Sequence, residues 1–400
     1  MLKRKHNPSR RDFLKIAGAA GAGSVFAAFN PLAEASEGPQ TVPVRPFGKT
    51  GIKVPILSMG GMFDIASNQL MMKQAVKWGV TYWDTADCYQ RGSEDGIGKY
   101  FDKFPEDRKK IFLVSKSCAR KPDGMTRLLD RSLKRMRTDY IDLYFAHGIY
   151  GIDELNELTK SWAEKAKKAG KIRFFGFSTH GNMESCMLEA AKLGWIDGIM
   201  MAYNFRLMHT DRMKRAVAAC VKAGIGLTAM KTQGGGSIKT DTDIELKMAG
   251  RFLRKGFTDA QAKLMAVWQN SDIASICSQM PNMTILRANV SAALNKTDLS
   301  AKDTEWLQRY ARETHSDYCA GCTDICESAV ESNVPIGDVL RYLMYYRSYG
   351  DYHYAADRFQ TIPENIRLQM AHLDYSSAEQ KCPQKIAIGK LMGQAVKELS

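Results

Sequence analysis

Between Ile56 and Met280, short apolar runs alternate with longer segments whose apolar residues recur every three or four positions. The short runs are Ile56–Gly60, Thr81–Thr85, Ile111–Ser115, Tyr140–His147, Arg173–Ser178, Gly198–Tyr203, Gly226–Lys231 and Ala274–Gln279. Each has the length and near-continuous hydrophobicity of a strand buried on both faces. The intervening segments carry helical spacing, as in Leu128-Leu129-Leu133-Met136, Leu155-Leu158-Trp162-Ala166 and Met213-Val217-Cys220-Val221. Thr258-Asp259-Ala260-Gln261 has the form of a capping box at the start of another helix. Eight strands alternating with helices predict an α/β fold, a parallel (β/α)8 TIM barrel. Val42–Phe47 and Ile52–Val54, joined by Gly48-Lys49-Thr50-Gly51, predict a hairpin that plugs the bottom of that barrel.

Beyond Leu299 the strand pattern stops, and Asp303–Arg312, Ile336–Tyr346, Tyr352–Phe359, Pro363–Ala371 and Ile386–Leu399 read as helices. A C-terminal α-helical extension packed on the barrel is expected. It holds Cys319, Cys322 and Cys326 in C-x2-C-x3-C spacing, with Cys382 followed by Pro383. Three thiolates at that spacing can face one point from a single tight turn. A four-thiolate set admits zinc or an iron–sulfur cluster. Zinc sites more often come as two C-x2-C pairs, whereas a remote cysteine followed by proline is the ferredoxin habit, so one 4Fe–4S cluster is expected. The remaining five cysteines, Cys88, Cys118, Cys186, Cys220 and Cys277, are scattered singly and read as small buried residues, not as a disulfide framework.

At the other end, residues 1–15 are basic, Ile16–Phe29 is apolar and small, and Ala33-Glu34-Ala35 is a candidate cleavage site. Ser9-Arg10-Arg11-Asp12-Phe13-Leu14-Lys15 resembles a twin-arginine export signal. That route carries proteins already folded around a cofactor, which suits a cluster-bearing chain. The expected divisions are a signal at 1–35, a barrel at 36–298 and the iron–sulfur extension at 299–400. The expected location is periplasmic or otherwise exported, with the twin-arginine translocase as a partner during export. The apolar stretch is shorter than the ~20 residues of a stable span, and no cysteine follows it, so no permanent membrane anchor is expected. The net charge is +14, and six Lys/Arg against two acids in residues 1–35 leave about +10 for the rest. A basic surface suits nucleic acid, anionic lipid or an acidic redox partner. The absence of any arginine–aromatic run speaks against nucleic acid.

In barrels of this kind the chemistry sits at the C-terminal ends of the strands. The second strand is followed by Asp84-Thr85-Ala86-Asp87-Cys88-Tyr89, the third ends at Ser115-Lys116, and the fourth ends at His147. Asp84, Tyr89, Lys116 and His147 therefore converge on the mouth. An unperturbed tyrosine titrates near ~10, too high for an efficient neutral-pH acid, and a neighbouring ammonium lowers that value. Lys116 is expected to do so, with Asp84 holding the ammonium and His147 bonding a substrate carbonyl.

Residues 45–296 resemble the aldo-keto reductases. The resemblance rests on Arg45-Pro46-Phe47-Gly48-Lys49-Thr50-Gly51, Trp83-Asp84-Thr85-Ala86, Ser93-Glu94-Asp95, Ser132–Tyr144, Gly170-Lys171-Ile172-Arg173 and Gly176-Phe177-Ser178. With the cysteine tail, the chain looks like the ferredoxin-bearing branch of that family. The resemblance implies that Asp84, Tyr89, Lys116 and His147 are the catalytic tetrad, with a small carbonyl or alcohol as substrate. It implies NADP(H) bound across the barrel top. Ser178 and Thr179 would lie at the nicotinamide amide, with Thr179 in place of the usual asparagine. Met200 stands where many members have a glutamine on the carboxamide. Gly234, Gly235 and Gly236 would lie along the pyrophosphate, and Arg287 and Asn289 at the adenosine end. Two other readings stay open. The chain could be a cluster-based electron-transfer or partner-binding protein on a retired barrel, or the metal could only staple the helical tail.

Overall fold

All eight apolar runs fold as parallel strands in the computed structural model, which describes residues 40–89, 92–236, 243–295 and 298–400. The leader motif, its apolar stretch and its cleavage site lie outside the described residues. A short antiparallel pair comes first, β1 (Val44–Pro46) with β2 (Lys53–Pro55). The barrel strands follow as β3 (Leu57–Gly60), β4 (Tyr82–Asp84), β5 (Phe112–Ser117), β6 (Ile141–Ala146), β7 (Ile172–Thr179), β8 (Gly198–Ala202), β9 (Gly226–Met230) and β10 (Ser275–Gln279). They close in sequence order, with β10 pairing β3. Strands such as β5 and β6 are buried at every position, because helices cover their outer face and side chains fill the interior.

The interior is packed by Phe47, Tyr82, Phe112, Val114, Leu143, Phe145 and Met200, among others. Phe47 comes from the hairpin, as the sequence predicts, and is fully buried. Its ring takes the space a Cβ would need at Gly198 (2.9 Å) and Gly226 (2.5 Å). Burying such a ring contributes about 1.5–3 kcal/mol, so the plug stabilises the end of the barrel opposite the chemistry. Gly48 turns beneath it at φ +53, where a side chain would meet the Gly224 carbonyl at 2.3 Å.

The outer helices start on the caps their sequences provide. Thr258 and Gln261 form the capping box ahead of Asp259–Trp268, and Asn156, Thr210 and Asn282 cap three others with side-chain oxygens. Among the described residues, no helix is long and apolar enough to cross a membrane.

After the barrel the chain is helical. Ala301–Glu313, Ile336–Met344, Tyr352–Gln360, Glu364–Gln369 and Ile388–Leu399 match the expected positions. The helix expected to run through Tyr346 changes at Met344 into a π-helical turn over Tyr345–Tyr349, and two short helices, Thr323–Cys326 and Ser376–Lys381, appear besides. The tail builds a core of its own from Ile336, Val339, Phe359, Met370, Ile388, Met392 and Leu399. It docks on the strand C-termini through specific bonds. Asn182 donates its N–H to the Gly321 carbonyl (2.7 Å), and its side-chain oxygen accepts the Asp324 N–H (3.0 Å). The Tyr150 hydroxyl donates to Asp338, and Arg341 reaches the same hydroxyl at 3.2 Å.

Candidate active site and cysteine cavity

The Lys116 ammonium sits at the centre of the barrel mouth. It donates to the Asp84 carboxylate (2.7 Å), the Thr85 carbonyl (2.8 Å) and the Tyr89 hydroxyl (3.0 Å), so all three of its protons are engaged. Lys116 is 1% exposed and Asp84 2% exposed. The turn carrying Tyr89 is fixed by backbone bonds, from Asp87 N–H to the Lys116 carbonyl (3.3 Å) and from Tyr89 N–H to the Ala86 carbonyl (3.1 Å). Arg131, on the helix Pro122–Met136, grips the Asp87 carboxylate with two nitrogens at 2.6 Å each. His147 leaves β6 with its N–H on the Ser117 carbonyl (2.9 Å), and its ring meets Tyr89 edge to face at 5.8 Å.

The electrostatics differ from expectation at one point. Burial pushes the Tyr89 phenol well above its ordinary pKa, and the Asp84 charge adds to the rise. The lowering expected from Lys116 does not prevail, because the phenolate loses more by leaving water than it gains from one ammonium already bonded to Asp84. Burial also raises the Asp84 carboxyl against the opposing pull of Lys116, and lowers His147, which stays neutral.

The structure also brings in two cysteines that the sequence reading leaves among the buried ones. Cys186 and Cys220 are buried as expected, but Cys88 and Cys118 are exposed at the mouth. Their sulfurs lie 2.8 Å apart and 3.2 and 3.4 Å from His147 Nδ1. The signal was available: Cys88 adjoins Tyr89 and Cys118 lies two residues past Lys116, both at strand ends.

The residues assigned to a nucleotide are distributed as follows. Ser178 and Thr179 end β7, where Ser178 Oγ accepts the Gly148 N–H (3.0 Å) and Thr179 Oγ1 lies 2.7 Å from both the Ile149 and Gly181 carbonyl oxygens. Met200 is packed in the barrel interior. Gly234, Gly235 and Gly236 have φ of +56, +104 and +103, and a Cβ would press on Phe205 at Gly234 and on Ser348 of the tail at Gly236. Arg287 is exposed near the start of Met283–Leu294, and Asn289 Nδ2 donates to Ser278 Oγ at 3.0 Å.

At the ends of β7, β8 and β9 a cavity of about 140 Å³ opens between barrel and tail, lined by His180, Ala202, Lys231, Cys319 and Arg341 among others. Lys231 has the left-handed φ of +54, rare for a side chain of this kind, and its amine donates to the Tyr345 hydroxyl. Burial drives the Lys231 amine well below its ordinary pKa, with Arg341 contributing. His180 Nδ1 is buried and has no hydrogen-bond partner among the described residues.

Cys319, Cys322, Cys326 and Cys382 all line a second, small cavity of about 20 Å³, walled by Ile325, Ile336, Leu340, Ile386 and Ile388. Burial pushes the Cys319 thiol up to about 11 and those of Cys322 and Cys326 to about 12. Cys319, Cys322 and Cys326 are thus poorly placed to ionise alone, and four sulfurs facing one apolar cavity are well placed to meet a cationic metal centre. Cys319 lines both cavities.

Comparison with known proteins agrees with the barrel fold. A model of the aldo/keto reductase family matches residues 58–311, and a model of the twin-arginine translocation pathway signal sequence matches residues 7–27. The family match stops before the first of the four tail cysteines. "Aldo-keto reductase yakc [NADP(+)]" of Schizosaccharomyces pombe is 35% identical over 213 residues, which cover 50% of this chain and 60% of that protein. Among solved structures, a thermostable aldo-keto reductase in complex with the inhibitor epalrestat is 25% identical with a TM-score of 0.56, over 67% of this chain and 99% of that one. An aldo-keto reductase of Bacillus halodurans in its holo form is 22% identical with the same TM-score, over 67% and 96%.

Proposed function

The chain belongs to the aldo/keto reductase family and carries a twin-arginine signal for export, and from that premise we propose that it is an exported oxidoreductase interconverting a small carbonyl and its alcohol, with NADP(H) and one 4Fe–4S cluster. The observation that carries the reading is the Lys116 ammonium bonded at once to Asp84 and to the Tyr89 hydroxyl.

Tyr89 holds the proton at Oη and donates it to the carbonyl oxygen. Lys116 stabilises the phenolate left behind, and Asp84 keeps Lys116 charged and aimed. His147, neutral through burial, donates from its ring to the same oxygen and orients it. Ser178, Thr179, Gly234, Gly235, Arg287 and Asn289 would hold NADP(H), with Met200 beneath the carboxamide. The buried, unpartnered His180 Nδ1 supports a polar occupant in the neighbouring cavity. Cys319, Cys322, Cys326 and Cys382 would hold the cluster. When bound, the nucleotide supplies a hydride and the cluster single electrons.

A second reading, in which electrons reach the mouth through the cluster alone, draws on Lys231. Its amine is tied to Tyr345 of the tail, and Ser348 lies over Gly236, where the pyrophosphate is expected. The shared wall at Cys319 supports a route between the two cavities under either reading.

The cofactor set is tested on the mature chain purified anaerobically. Iron and acid-labile sulfide in equal amounts, with tight NADPH binding by fluorescence, support the first reading. Cluster without nucleotide affinity favours the second. Stoichiometric zinc without sulfide overturns the cluster in both.

A further inference from the structure

Three side chains of metal-ligand type meet at the barrel mouth, outside the tail. Cys88 Sγ lies 3.2 Å and Cys118 Sγ 3.4 Å from His147 Nδ1, with the two sulfurs 2.8 Å apart. We propose that Cys88, Cys118 and His147 form a metal site separate from the four tail cysteines, taking Zn²⁺ or a similar borderline divalent ion and leaving one coordination position open to an oxygen ligand.

The donors are held by backbone before any metal arrives. They follow three adjacent strands, β4, β5 and β6. The turn bearing Cys88 is clamped by the Asp87–Arg131 pair. Cys118 follows Ser117, whose carbonyl accepts the His147 N–H (2.9 Å), and Arg120 donates to the His147 carbonyl (2.7 Å). No large ordering cost remains for binding to repay.

The spacing suits a shared cation. Zinc bonds of ~2.3 Å to sulfur and ~2.0–2.1 Å to nitrogen, at tetrahedral angles, put the donors roughly 3.5–3.8 Å apart. Both sulfur–nitrogen distances already fall within a few tenths of that range. The sulfur pair must open by about 1 Å, which side-chain rotation of two exposed cysteines can supply. A disulfide is the competing use of the pair. It needs the sulfurs to close to ~2.05 Å and gives no part to the ring nitrogen that faces both of them. Two thiolates, one imidazole and an open position are a known catalytic donor set for zinc. On binding, two thiol protons leave to solvent and the neutral ring gives its Nδ1 lone pair.

The site stands on this geometry alone, and its consequence for substrate rests on the reading proposed above. With Nδ1 on the metal, the ring proton is fixed on Nε2. That is the tautomer able to donate to a carbonyl oxygen. The open position could instead take that oxygen directly.

Binding is read without activity. Co²⁺ is titrated anaerobically into the reduced tail variant Cys319→Ser/Cys322→Ser, and into the same variant carrying Cys88→Ser/Cys118→Ser as well. One equivalent should produce a thiolate-to-cobalt charge-transfer band in the tail variant that is lost when Cys88→Ser/Cys118→Ser is added to it. X-ray absorption of the zinc form of the tail variant should show two sulfurs and at least one nitrogen. Both substituted mouth cysteines are exposed, so the variant should fold, and its circular dichroism checks this. Identical cobalt spectra in the tail variant with and without the mouth substitutions would overturn the site. So would a Cys88–Cys118 disulfide in the isolated protein that, once reduced, takes up no metal. Loss of the tail cluster alone would leave the mouth band standing, which separates this proposal from the cluster reading.

Discussion

Removing the Lys116 ammonium tests the core of the site without knowledge of the substrate. In Lys116→Met a side chain of similar length replaces the cation, and Asp84 is left buried and unpaired. Both residues are essentially inaccessible to solvent, at 1% and 2% exposure, so exposure gives no discount. Breaking a buried pair from one side costs about 3–5 kcal/mol, because a lone charge remains in a low dielectric. The compact unit Thr41–Ser400 has an unfolding entropy of roughly 0.75 kcal/mol per kelvin at ~2.1 cal/mol/K per residue, so Tm should fall by about 4–7 °C. The loss should depend on pH with a definite sign. Burial already raises the Asp84 carboxyl, Lys116 opposes the rise, and the variant removes that opposition. An acid raised in the folded state costs nothing below its unfolded value of ~3.9, and its penalty grows as pH climbs through the carboxylate range. The Tm gap between wild type and variant should therefore be small near pH 4 and full at pH 7–8. Asp84→Asn combined with Lys116→Met removes both charges and should recover most of the loss. Thermal melts by circular dichroism at the two pH values, on all three proteins, decide it. A single variant melting with the wild type at neutral pH, or a gap that does not shrink in acid, would refute the reasoning.

Three further outcomes are expected. Cys382→Ser should lose most of the iron and sulfide while retaining the secondary structure of the barrel, measured by metal analysis and circular dichroism. Arg10→Lys with Arg11→Lys should leave the precursor in the cytoplasm, seen by fractionation, because the folded-protein route reads the arginine pair. The rate of carbonyl reduction should show no alkaline limb through neutral and mildly basic pH, since burial holds Tyr89 protonated above its ordinary range and keeps His147 neutral; a limb in pH 7–8 on a stopped-flow profile would contradict this.

The barrel was legible because its strands are buried on both faces and so read as nearly continuous apolar runs, as Gly198–Ala202 does. The juxtaposition of Asp84, Lys116 and His147 was legible because all three sit at the ends of adjacent strands, where chemistry in such barrels is found. Cys88 and Cys118 carry the same strand-end signal, but a single cysteine bears no mark of a partner on an adjacent strand, so the sequence reading groups them with the buried ones. The direction of the Tyr89 shift was missed for a related reason: charge neighbours can be read from strand order, but the depth of burial cannot. The helices Thr323–Cys326 and Ser376–Lys381, at four and six residues, are too short to show a 3.6-residue period. Lys231 ends an apolar run in the sequence, and its contact with Tyr345 at the boundary between barrel and tail is not legible there, because it exists only once both have folded.

Turnover by Tyr89→Phe tests the central claim most directly. The substitution removes one hydroxyl and keeps the ring that packs on His147. Carbonyl reduction is measured for the mature wild type and the variant with NADPH, and again with a chemical reductant feeding the cluster. The account predicts a loss of ~10²–10⁴-fold in rate in the variant with whichever donor supports turnover, and nearly unchanged NADPH binding. Equal turnover by both proteins with either donor would contradict it, and would move the chemistry away from the barrel mouth.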